Sequence, residues 1–176
     1  MSGKDYQEKV RREMTLLEKI LNYIPGYRGY KEKEIRRESD RLVRSESANK
    51  LKEAKNIVRM KLAEMSSLRM IEEKDIWRID MVLSRLDRVA AKIERAPAGY
   101  AGLFDAVKVK EDKLDKVLEH DFSMIEKSEK IRDAARRFEI LESREEWLKC
   151  LEELLELIDE LERTFDERTD ILRGLA

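Results

Sequence analysis

One histidine, His120, and one cysteine, Cys150, are the residues of this chain best suited to nucleophilic or metal chemistry. A Cys–His pair would need an accessible thiolate within reach of the imidazole. Cys150 falls mid-helix among Trp147, Leu151 and Leu154, whose spacing of three and four marks an apolar helix face, so its expected role is packing. A lone cysteine also rules out an intrachain disulfide and a cysteine-built zinc site. Di-metal carboxylate bundles take Glu-x-x-His motifs from two helices. Here Val117 stands three residues before the only histidine, and the motif is absent. Glu119, His120 and Asp121 are consecutive helix positions that point in different directions, so His120 is expected to be an exposed surface residue. The glycines at 26, 29, 99 and 102 lack the preceding strand and the spacing of a phosphate loop, a dinucleotide fingerprint or a nucleophile elbow. The residues therefore predict no catalytic group, no metal, no cofactor and no enzymatic activity.

Two other stretches have the residue types for recognition. Ile24-Pro25-Gly26-Tyr27-Arg28-Gly29-Tyr30 runs into Lys31-Glu32-Lys33-Glu34, and Pro25-Gly26 fits a type II turn with glycine at the positive-φ position. Residues 97–109 repeat its character, with a proline, two glycines, Tyr100 and Phe104. Connections of that length are functional or ordered by packing. The candidate partner-binding residues are Tyr27, Arg28, Tyr30, Arg36, Arg37, Arg41, Tyr100 and Phe104. The leading expectation is a scaffold or adaptor that presents an aromatic loop end and a basic helix to a protein partner or to a second copy of itself. If every helix connection reverses direction, the two aromatic segments lie at the same end of the bundle, and they could equally close the core there. A second reading is nucleic-acid binding by residues 28–61, which carry 12 basic and 6 acidic side chains, with Tyr27 and Tyr30 for stacking. Glu32, Glu34, Glu38 and Asp40 interrupt that stretch, where a cleaner basic stripe is usual. A third is peripheral membrane contact through the amphipathic segment 5–23, with Lys9, Arg11, Arg12 and Lys19 on its polar side.

The elements that position these residues are helices. Charged residues make up 44% of the 176 and apolar ones 41%, with only 6 Gly and 2 Pro, which is the composition of long amphipathic helices. Helices are expected over 5–23, 31–65, 72–95, 111–141 and 144–172. Leu51, Ala54, Val58, Leu62 and Met65 make one seam, and Ile76, Ile79, Leu83, Leu86, Ala90 and Ile93 another, broadened by Trp77, Val82 and Val89. A third joins Leu114, Leu118, Phe122, Ile125, Ile131, Ala135 and Phe138. Trp147, Leu151, Leu154, Ile158, Leu161 and Phe165 form the most regular heptad. Ser143 and Glu146 match a capping box at the start of that helix. No Gly or Pro separates 65 from 72, but a turn is expected there, with Met65, Leu68, Met70 and Ile71 in a buried corner. Between Lys31 and Lys50 the only large apolar residues are Ile35, Leu42 and Val43, and Arg44 to Lys50 has only Ala48, so that half of the helix is expected to be solvent-exposed along most of its girth, or covered by something other than an ordinary core.

The fold expected is therefore all-α: an antiparallel bundle of about five long helices with coiled-coil character, in one domain over 1–176. Net charge is −1, which conceals +7 over residues 1–95 and −8 over 96–176, so the two halves should attract when packed side by side. No stretch approaches the ~20 apolar residues of a membrane span and no early apolar run suits a signal peptide. A cytoplasmic location is expected. The segment Ile24 to Tyr30, with Glu32, Glu34 and the residues to Asp40, and the segment Ala98-Gly99-Tyr100-Ala101-Gly102-Leu103-Phe104-Asp105-Ala106-Val107 resemble segments of an uncharacterised prokaryotic all-helical family. The resemblance covers about a sixth of the chain and implies no activity.

Overall fold

The computed structural model describes residues 18–20, 32–96 and 111–173, with side chains at 18–20, 41–96 and 116–172. The described residues form an all-α structure of helices packed against one another: α1 (Glu32–Ser67), α2 (Ile76–Glu94), α3 (Glu111–Phe138) and α4 (Arg144–Arg173), with a 3₁₀ turn at Glu73–Asp75 before α2. Residues 18–20 are helical, and the rest of the expected 5–23 helix lies outside the described residues. No described helix is long and apolar enough to cross a membrane.

The break expected after residue 65 is present, and its chemistry is specific. The Met70 amide donates to the Met65 carbonyl at 3.0 Å and the Arg69 amide to the Ser66 carbonyl at 3.0 Å. That pair of bonds is a Schellman termination, whose turning residue adopts the left-handed conformation. Here the residue is Arg69, at φ 57°. Glycine usually fills this position, because a Cβ there costs about 1–2 kcal/mol. The α4 start is the capping box that its sequence spells. The Glu146 amide donates to Ser143 Oγ at 3.2 Å, and the Ser143 amide donates to Glu146 Oε2 at 3.2 Å. Those bonds hold the Glu146 carboxyl below the usual carboxylate range.

The chain divides into two compact units, Met1–Glu46 with Pro97–Ile125 and Thr164–Ala176, and Ser47–Ala96 with Glu126–Arg163. In the second unit the predicted seams are the core. Leu51, Ala54, Val58, Leu62 and Met65 are buried from α1, and Ile79, Val82, Leu86, Val89, Ala90 and Ile93 from α2. Ile131, Ala135 and Phe138 are buried from α3, and Trp147, Leu151, Leu154, Ile158 and Leu161 from α4. Ion pairs across the helices fix the directions. Lys52 meets Glu94 at 2.9 Å and Lys55 meets Asp87 at 2.5 Å, so α1 and α2 are antiparallel. Arg137 with Glu153 and Lys127 with Glu160 show the same for α3 and α4. Lys50 with Glu129 and Arg136 with Glu53 set α1 parallel to α3, and Arg78 with Glu152 and Arg85 with Asp159 set α2 parallel to α4. In cross-section the order is therefore α1, α2, α4, α3, with two helices up and two down. Bases from the first half of the sequence meet acids from the second at Lys50, Arg78, Arg85 and Lys92, and bases from the second half meet acids from the first at Arg136 and Arg144.

The first unit buries a smaller apolar cluster of Ile20, Val43, Val117, Leu118, Ile125 and Ile171, flanked by Leu42, Phe122 and Leu172. It also buries charge. Arg168 and Asp121 are 1% and 0% exposed, and the Arg168 Nε–H donates to Asp121 Oδ1 at 2.5 Å. The Lys19 ammonium lies 5.6 Å from the Phe122 ring centroid, a cation–π contact that keeps its charge over the edge of the apolar cluster.

Three expectations about burial are corrected, and a fourth, left open between two arrangements, is decided. Leu68 is 61% exposed, because the chain has already left α1 there. Trp77 is exposed because the 3.6-residue period puts it about half a turn from Ile79 and the rest of the α2 stripe. Ile76 is exposed at the edge of that stripe, in the first turn. The polar run from Arg44 to Lys50 is not exposed along most of its girth: Arg44, Ser47, Ala48 and Lys50 are all buried. Its face is covered with its polar groups in place. The Lys50 ammonium reaches Glu129 at 2.7 Å, and a long stem with a paired head can be buried where a bare charge could not.

Candidate functional site

Of the eight candidate residues, Tyr27, Arg28, Tyr30, Tyr100 and Phe104 lie outside the described residues, as does the question of which end the two aromatic segments share. Arg36, Arg37 and Arg41 all belong to α1. Positions 37, 41 and 44 recur at steps of four and three, which places them on one stripe of the helix. The stripe is not uniform. Arg41 is exposed and Arg44 is buried, so the change from surface to interior falls within one turn.

Further along α1, four of the five basic side chains of residues 50–61 are engaged, and Arg59 is exposed and in no ion pair among the described residues. Lys50 is paired with Glu129, Lys52 with Glu94, Lys55 with Asp87 and Lys61 with Glu64. Residues 50–61 are therefore a helix whose positive charge is largely met by carboxylates within the same unit. The basic excess counted from the sequence is real, but over this span it works inside the fold.

The two residues first considered for chemistry have structural surroundings. Cys150 is buried, its thiol donates to the Ala134 carbonyl at 3.5 Å, and burial pushes its pKa up to about 11. A thiol held that high is a poor nucleophile near neutral pH. His120 is half-buried, and is corrected from an exposed residue; its Nδ1 stands 3.9 Å from a Glu167 oxygen. Among the described residues no group of three His, Cys, Asp or Glu side chains is placed to hold a metal ion.

Sequence reasoning missed a different constellation. In the second unit, Arg144 at the start of α4 donates to Asp75 Oδ1 at 2.6 Å and to Asp75 Oδ2 at 2.9 Å, and lies 3.2 Å from Glu72. This fork clamps the α1–α2 turn to the α3–α4 turn and holds the buried Asp75 carboxyl below the ordinary aspartate range, chiefly through the Arg144 hydrogen bond. Beside the clamp, Trp77 carries the Arg78 guanidinium 5.4 Å from its ring centroid. The only sequence signal was negative: an arginine directly after a capping serine, where helix starts favour acids.

The geometry defines an all-α helical protein in which many of the described charged groups pair between helices. Comparisons with protein-family models, with curated proteins and with solved structures find no match.

Proposed function

We propose that the chain is a non-enzymatic scaffold or adaptor, which presents the aromatic segments 24–30 and 97–109 and the basic start of α1 to a protein partner or a second copy of itself. The observation that carries this reading is the pairing along residues 50–61. A polyanion laid along the basic helix would have to displace carboxylates from Lys50, Lys52, Lys55 and Lys61. A protein partner needs only the segment around Arg36, Arg37 and Arg41 and the tyrosines that precede it.

The test is the double substitution Tyr27→Ala with Tyr100→Ala, read by sedimentation and by affinity capture from native lysate. Loss of the complex with unchanged helicity by circular dichroism is the expected result. Loss of helicity together with the complex would make these tyrosines core residues. Retention of the protein on a polyanion column at low salt, released steeply as salt rises, would replace the proposal with nucleic-acid binding.

A further inference from the structure

Five large apolar side chains are exposed among the described residues: Met60, Leu68, Ile76, Trp77 and Ile140. Four of them lie at one end of the second unit. Leu68 is in the α1–α2 turn, Ile76 and Trp77 open α2, and Ile140, 77% exposed, is in the α3–α4 turn. The Arg144 fork to Asp75 and Glu72 joins those two turns, so the four residues share one end of the second unit. Single exposed apolar residues are ordinary on a surface; a cluster that includes a tryptophan is what an interaction site has.

The charges around this end are unequal. Arg144 is taken up by Asp75 and Glu72, Lys74 by Glu72, Arg78 by Glu152, Arg137 by Glu153 and Arg136 by Glu53. Among the described residues, no ion pair engages Glu73, Glu139, Glu142 or Glu145. Glu139 and Glu142 flank Ile140, Glu73 lies one turn before Trp77, and Glu145 is in the first turn of α4. All four are exposed, and Arg69 is the one basic residue of the α1–α2 turn in no ion pair among the described residues. With Glu73, Glu139, Glu142 and Glu145 against Arg69 and Lys149, this end therefore carries an excess of unpaired negative charge beside its exposed apolar side chains.

We infer that this end of the second unit is a docking surface for a basic amphipathic helix of a protein partner. Its apolar side chains would cover Leu68, Ile76, Trp77 and Ile140, and its Lys or Arg side chains would meet Glu73, Glu139, Glu142 and Glu145. The unpaired carboxylates set the sign of the partner, and an exposed tryptophan with three exposed aliphatic residues at the same end supplies the anchor. The inference uses only described residues and does not rest on the tyrosine segments.

The test titrates the full chain with a synthetic Leu/Lys amphipathic helical peptide and with its Leu/Glu counterpart, followed by calorimetry and by tryptophan emission. The Leu/Lys peptide is expected to bind and to shift the emission of Trp77, while the Leu/Glu peptide does not bind. Trp77→Ser with Ile140→Ser leaves every charge in place and should weaken the Leu/Lys peptide by about tenfold or more. Glu139→Gln with Glu142→Gln should weaken it and flatten its salt dependence. All four positions are exposed, and unchanged helicity of the variants confirms the fold. Equal binding of both peptides, or undiminished binding to the Trp77/Ile140 variant, would overturn the assignment. So would a dimer in sedimentation that the same variant dissolves, since a second copy would then be the occupant.

Discussion

The two units solve the same problem, a helical chain with 44% charged residues, in different ways. The second unit keeps most of its charge at the surface, with Lys50 and Asp75 as buried exceptions, each paired. Its core is a continuous set of aliphatic and aromatic residues, and Lys52–Glu94, Lys55–Asp87 and Arg78–Glu152 pair at or near the surface. The first unit brings charge inside, with Asp121 and Arg168 among its most deeply buried residues beside a small apolar cluster. Exposed pairs contribute about 0–1 kcal/mol each, whereas a buried pair constrains which arrangement of helices is allowed. The difference teaches that ion pairs in this protein do not share one role. Those of the second unit set helix direction over a core that would hold without them, and the pair in the first unit makes the packing dependent on both partners.

The strongest way to break this comparison is Arg168→Ala. It leaves a buried carboxylate without its main partner and should cost about 3–5 kcal/mol in denaturant unfolding. A loss near the surface-pair range would place that pair with the others. Asp75→Asn comes next, because Asp75 is the one buried acid of the second unit and its fork joins two turns. The loss should be about 1–2 kcal/mol. Since the Asp75 pKa is lowered in the fold, its contribution is present above the ordinary aspartate pKa and disappears as pH falls through the folded value. Acid titration of stability should therefore show a shallower decline below about pH 4 in the Asn variant than in the parent. Arg69→Gly has the opposite sign. Relieving the left-handed residue should raise stability by about 0.5–1 kcal/mol, and a loss would mean that the arginine side chain contributes more than its backbone costs. The smallest effect belongs to Lys55→Ala, whose partner Asp87 is exposed; a change of about 0.5 kcal/mol or less is expected.

Much of the second unit was legible in the sequence because its apolar residues recur at three and four. The seams from Leu51 to Met65 and from Trp147 to Leu161 are buried as their spacing requires. Ser143 and Glu146 could be read as a capping box because both bonds are local. The misreadings have two causes: local register and helix ends for Trp77, Ile76 and Leu68, and a partner distant in sequence for the buried polar groups. Arg44, Ser47 and Lys50 could be read either as exposed or as covered by something other than an ordinary core, because the Glu129 that receives Lys50 is far along the chain. Trp77 was expected to broaden the apolar face of α2, although its helical register places it outside. The Arg144 clamp joins residues 69 apart and left no periodic trace. The docking end was illegible for the same reason, since Leu68, Trp77 and Ile140 converge only once the two turns are tied together.

The contrast between inside and outside charge is tested most directly by two double-mutant cycles measured together. One is built on Asp121→Ala and Arg168→Ala, the other on Lys55→Ala and Asp87→Ala, each read by equilibrium unfolding. The prediction is a coupling of about 2–3 kcal/mol for Asp121 with Arg168 and about 0.5 kcal/mol or less for Lys55 with Asp87. Equal couplings for the two pairs would contradict it.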